Sequence, residues 1–117
     1  MPVVKLLLEK GANISARNKE GNTPMMYAAG HGHTPVVDKL LDFGAPLDLV
    51  DENGDTVLHH AAKWGQMPVV KLLLEKGADT SIRNKEGVPH GYTAATLAEK
   101  HDHPEIANFI KNWENPN

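Results

Sequence analysis

Asp51 to Arg83 reads DENGDTVLHHAAKWGQMPVVKLLLEKGADTSIR, a stretch of 33 residues, and the rest of the chain lays out as copies of it. One such length upstream, Asn18 to Val50 reads NKEGNTPMMYAAGHGHTPVVDKLLDFGAPLDLV. Met1 to Ala12, MPVVKLLLEKGA, is identical to Met67 to Ala78, and 18 of 21 positions agree between residues 1–21 and 67–87. Downstream, Asn84-Lys85-Glu86-Gly87 opens a last copy. A fixed period of this length marks a repeat architecture, in which each unit buries its apolar face only by stacking on its neighbours.

Each unit follows one local pattern. Asn18-Lys19-Glu20-Gly21-Asn22-Thr23 is turn chemistry, with asparagine early and glycine where a side chain would hinder the bend. Thr23 then suits an N-cap and Pro24 the first helical position. A short helix to about Gly30 follows, in which Ala28 and Ala29 allow close helix approach. His31-Gly32-His33 turns the chain into a second helix, Thr34 to Phe43, and an arm leads from Pro46 to Val50. Lys39 departs from Leu6 and Leu72 of the other copies and predicts a partly open side. The third unit predicts helices over Val57–Trp64 and Pro68–Lys76, with the strongest core of the set.

The two ends differ from this pattern. Met1–Lys10 reads as the second helix of a unit whose first helix is missing, so the chain begins mid-repeat. Its copy-like sequence favours a piece of a longer array over a capped end. The uncapped helix is also expected to support self-association. In the last unit Thr93 lies 37 residues beyond Thr56, four more than the period. The simplest placement of the extra residues is a finger insertion at Pro89-His90-Gly91-Tyr92. Glu99 and Lys111 replace Ala62 and Leu74, which places charge on the outer side as a C-terminal capping unit requires. Trp113 is expected to fold back onto the end.

The chain resembles the ankyrin repeat family. The resemblance is carried by Thr56-Val57-Leu58-His59-His60-Ala61-Ala62, by Thr23-Pro24-Met25-Met26-Tyr27-Ala28-Ala29, and by the run Val69–Asp79. It covers essentially the whole chain and implies an all-α solenoid of stacked helix-turn-helix units with β-turn fingers. The units are then 1–17 (second helix and arm only), 18–50, 51–83 and 84–117. The resemblance implies a protein-interaction module of scaffold or adaptor type, within cytoplasm or nucleus. The alternative is a spacer within a longer array that binds nothing itself.

Composition narrows the classes. Twelve basic against 15 acidic residues give a net charge of −3, with lysines interleaved among acids, which is no footprint for nucleic acid. The absence of cysteine removes disulfides and thiolate chemistry. No apolar run approaches the roughly 20 residues of a membrane span. No glycine-rich phosphate loop, paired nucleophile or buried acid–base pair is legible, so neither an enzyme nor a cofactor is expected. Seven histidines suggest metal, but His33 and His103 share one repeat position. His59 falls where the family, by resemblance, hydrogen-bonds between turns, and no metal site is expected.

In such a stack the concave side is free to vary. Carried over from the family, its tips are Lys19, Glu20 and Asn22; Glu52, Asn53 and Asp55; and Lys85, Glu86 and Val88. The first helices add Gly30 and His31, Lys63 and Trp64, and Lys100 and His101; the arms add Arg17, Val50 and Arg83. Glu20, Glu52 and Asp55 read as solvated tips. The expected partner is a protein, basic or mixed where it meets the acids. Trp64 leads the candidates because truncating an interface tryptophan is often costly, and Tyr92 on the inserted loop follows.

Overall fold

The computed structural model describes residues 17–86 and 90–114. The helix read over Met1–Lys10, the self-association assigned to it, Val88 at the third tip and the last three residues lie outside this range. The described elements are α1 (Pro24–Gly30), α2 (Thr34–Asp42), α3 (Val57–Lys63), α4 (Met67–Glu75), α5 (Ala94–Lys100) and α6 (Pro104–Glu114). No strand occurs among the described residues. The helices pair within units as α1·α2, α3·α4 and α5·α6. Between units, α1, α3 and α5 form one layer, and α2, α4 and α6 the other.

Local chemistry sets each start. The hydroxyls of Thr23, Thr56 and Thr93 accept from the backbone N–H of Met26, His59 and Thr96, each at 3.3 Å. The first helices are only seven residues long, too short to persist alone, so packing must hold them. Ala28, Ala29, Ala61, Ala62 and Ala98 line their seams, and all are buried. The second helices supply the aliphatic core through Val36, Val37, Leu40, Val69, Val70, Leu73, Ile106 and Ile110. Lys39 is half-buried, as its substitution for leucine suggested. Helix ends differ from the sequence reading by about one residue, and Trp64 caps α3 rather than belonging to it.

At the last unit Glu99 and Lys111 are exposed and pair with each other. Trp113 stacks on Phe109, one turn earlier in its own helix, with ring centroids 6.3 Å apart, and remains 48% exposed.

The finger of this unit has a different register from the one expected. The Asn84 N–H donates to the Tyr92 carbonyl at 2.9 Å. Asn18 makes the same bond to Asn22, and Asp51 to Asp55. Gly91 has φ +77°, matching Gly21 at +80° and Gly54 at +76°. Tyr92 therefore occupies the position of Asn22 and Asp55, and Gly91 that of Gly54. The four extra residues are 87–90, not Pro89–Tyr92. Gly91 and Gly87 are equal candidates in sequence; the cross-finger hydrogen bond selects Gly91.

Leu73 has no exposed surface and lies in the middle unit of the three described. Leu73→Ala is expected to lower unfolding free energy by about 2–5 kcal/mol. Urea denaturation followed by circular dichroism measures it, and a loss below about 1 kcal/mol would contradict a core continuous through this unit.

Candidate functional site

The site begins with a repeated turn. Asn18 Oδ1 accepts from the N–H of Glu20 and Asn22 at 2.9 and 3.0 Å. Asp51 Oδ1 accepts from Asn53 and Asp55 at 2.9 and 3.0 Å. Asn84 Oδ1 accepts from Glu86 and Tyr92 at 3.2 and 2.9 Å. Adjacent fingers are joined by backbone bonds, Glu52 N–H to Glu20 O at 3.2 Å and Lys85 N–H to Asn53 O at 2.8 Å. The tips thus form a ladder along one side of the stack.

A groove of about 480 Å³ runs between the first two fingers and the ends of α1 and α3. Nine residues expected on the concave side line it: Glu20, Asn22, Gly30, His31, Glu52, Asn53, Asp55, Lys63 and Trp64. Tyr27, Met26, Asp51 and His60 complete the wall. Trp64 is 58% exposed. A Cβ on Gly30 would stand 3.2 Å from Trp64 Cδ1, so the indole edge rests where only glycine leaves room. The Lys63 ammonium lies 5.4 Å from the indole centroid.

Tyr27 was not among the expected residues, yet it is 62% exposed and its ring centroid is 4.2 Å from that of His31. The signal was available. Tyr27 is four residues from His31, one helical turn, as His60 is from Trp64. The equivalent Leu97 is fully buried, so a column of mixed character hid the tyrosine.

Asp55 corrects the sequence reading. It is only 2% exposed and is not a solvated tip. Asn84 of the next finger covers it, its Nδ2 donating to Asp55 Oδ1 at 2.8 Å. Asp51, 7% exposed, directs its second oxygen to His60, whose Nε2–H donates at 2.8 Å. Asp51, Asp55 and His60 carry ligand-type atoms within 4.8 Å of one another. Their hydrogen bonds already assign these atoms to the turn and to the neighbouring finger. His59 is buried and fixed in one tautomer. Its Nδ1 accepts from the Thr56 N–H at 3.1 Å, leaving Nε2–H to donate to the Tyr92 carbonyl at 2.9 Å. It joins two turns, as the resemblance implied.

The other expected residues lie away from this groove. Tyr92 is half-buried beneath Lys100, whose ammonium is 5.1 Å from the ring centroid and 3.3 Å from the hydroxyl. Arg83 donates to the Gly91 carbonyl at 3.3 Å, bracing the third finger. Glu86 is half-buried on that finger, His101 caps α5, and Lys19 stands exposed at the first tip.

Burial raises the Asp55 carboxyl above its ordinary value, and Asp51 adds to this; Asn84, His59 and His60 oppose it. As pH rises, the unfolded chain therefore ionises first. The stability contributed by Asp55 is greatest below the ordinary carboxylate pKa and falls as pH climbs through the raised folded value. Asp55→Asn keeps an acceptor for Asn84 and cannot ionise; Asn22 occupies the same place one unit earlier. The variant is expected to melt at or above the wild-type temperature at pH 7, with a flatter dependence from pH about 4 upward. A lower melting temperature at pH 7 would show that the fold needs the charge.

A family description for ankyrin repeats, in three copies, matches residues 1–84. No curated protein matches the chain. The last unit lies beyond the matched range, but its turn, threonine cap and helix pair reproduce the geometry of the others. No helix among the described residues is long and apolar enough to cross a membrane. The chain belongs to the ankyrin repeat family, whose members are in general protein–protein interaction modules.

Proposed function

We propose that this chain binds a protein partner through its concave side, centred on the groove between the first two described fingers. The observation that carries this reading is the exposure of Tyr27 and Trp64, 62% and 58%, on one wall of that groove. Exposed aromatics cost solubility and gain nothing from the core, while at an interface they supply large rigid contact area. Glu20, Asn22, Glu52, Asn53, His31 and Lys63 form a polar surround, the usual rim of such a contact. Tyr92, Arg83, Glu86, His101 and Lys19 extend the same side along the stack but take no part in the central groove. The role is binding, not catalysis. The spacer reading draws on the identity of Met1–Ala12 with Met67–Ala78, which is how a copied array would look.

Selection from a random peptide display library tests the proposal. Selected peptides are expected to lose about thirtyfold or more in affinity for Tyr27→Ala/Trp64→Ala. They should bind Glu75→Ala, altered on the exposed surface of α4, like the wild type. Melting temperatures of the variants should agree with the wild type, because both aromatics are largely exposed. Peptides indifferent to the double substitution would place binding on another surface. A library yielding no ligand would favour the spacer.

A further inference from the structure

We infer that the groove receives an arginine side chain from its partner, a statement that rests on the concave-face reading and specifies its chemistry. Four carboxylates line the groove, on Glu20, Asp51, Glu52 and Asp55. Two are already committed: Asp51 to its turn and to His60, Asp55 to Asn84. Glu20 and Glu52 remain exposed at the mouth. The bond from the Glu52 N–H to the Glu20 carbonyl ties the neighbouring fingers together, and both acidic residues line the same opening. Lys63, the one lysine lining the groove among the described residues, lies over the Trp64 ring. The mouth therefore favours a cation.

Two further features select the kind of cation. Asn22 Oδ1 is buried and has no hydrogen-bond donor among the described residues. Its amide is oriented by the Nδ2 bond to Glu20 Oε2 at 3.3 Å, which leaves the oxygen as an acceptor. An unpaired buried acceptor is costly, and a ligand N–H would relieve it once the amide turns toward the groove. Toward the helix ends, Tyr27 and Trp64 offer aromatic surface. A guanidinium meets all three demands. It carries five donors in a planar fork, pairs with carboxylates in register, and stacks on aromatic faces. An ammonium is a compact, strongly hydrated point charge and uses the planar surface less well. The volume, about 480 Å³, falls within the roughly 300–1,000 Å³ of sites that enclose a small ligand, enough for the side chain and adjoining backbone.

The probe is N-acetyl-arginine methylamide, with N-acetyl-citrulline methylamide as its neutral near-isostere. Each is titrated into the ¹⁵N-labelled protein. The signals followed are the Trp64 indole N–H, assigned through Trp64→Phe, and the Asn22 side-chain amide. The arginine compound is expected to shift both saturably, with the citrulline compound about tenfold weaker or more. Glu20→Gln/Glu52→Gln should bring the arginine compound down to the citrulline value. Equal affinities, shifts confined to other residues, or no shift with either compound would overturn the inference. Failure here is separable from failure of the concave-face reading. Library peptides that depend on Tyr27 and Trp64 but tolerate replacement of every arginine would leave the face in place and remove only the arginine.

Discussion

A side-chain oxygen at the head of each unit accepts two backbone N–H groups, from positions two and four residues ahead in the first two units. This small ring closes the turn and delivers the threonine that caps the next helix. It also leaves the backbone N–H of one finger pointing at the carbonyl of another, which is how Glu52 meets Glu20 and Lys85 meets Asn53. In the last unit four more residues separate the two sides of the turn, yet the closing bond is kept, so Tyr92 keeps the place of Asp55. Loop extension is tolerated because closure entropy grows slowly with length. The ring is specified by bonds, not by residue count.

Stacking then decides what each column can hold. A Cβ on Gly32 would meet Gln66 Oε1 at 2.5 Å, and one on Gly65 would meet His103 Cε1 at 2.7 Å. The glycine of one unit is thus covered by the side chain that follows the equivalent position, Gly65 or Asp102, in the next. At the last unit the same column holds Asp102, the single non-glycine residue with positive φ among those described, at +65°. There no side chain of a further described unit lies over it, so a Cβ fits and only the modest backbone strain of aspartate remains. The same logic places Trp64 over Gly30, which exposes the indole instead of burying it.

The groove combines these two constraints. Fingers bring acids to one end; at the other, Gly30 leaves room for Trp64 and Tyr27 lies against His31. Asp51 and Asp55 direct carboxyl oxygens to the framework, toward His60 and Asn84. Glu20 and Glu52, whose carboxylates stand exposed at the mouth, define the electrostatics that a partner meets.

The period, the threonine caps at Thr23, Thr56 and Thr93, the helix pairs and the aliphatic core were all legible in the sequence, because they follow from local propensity and a strict repeat. His59 was legible as a link between turns through its family motif. Tyr27 was obscured because burial at one repeat position varies from unit to unit, and the letters do not carry that variation. Asp55 looked solvated in an all-polar turn; only the approach of Asn84 from the next finger buries it. The sequence leaves two glycines, Gly87 and Gly91, able to serve one turn, and the hydrogen bond from Asn84 to Tyr92 across the finger chooses between them. Sequence alone determined the repeat, since each unit's helices and turns answer to neighbours a few residues away. Tertiary structure decided which polar groups belong to the framework and which face outward, because that depends on contacts about one full unit apart.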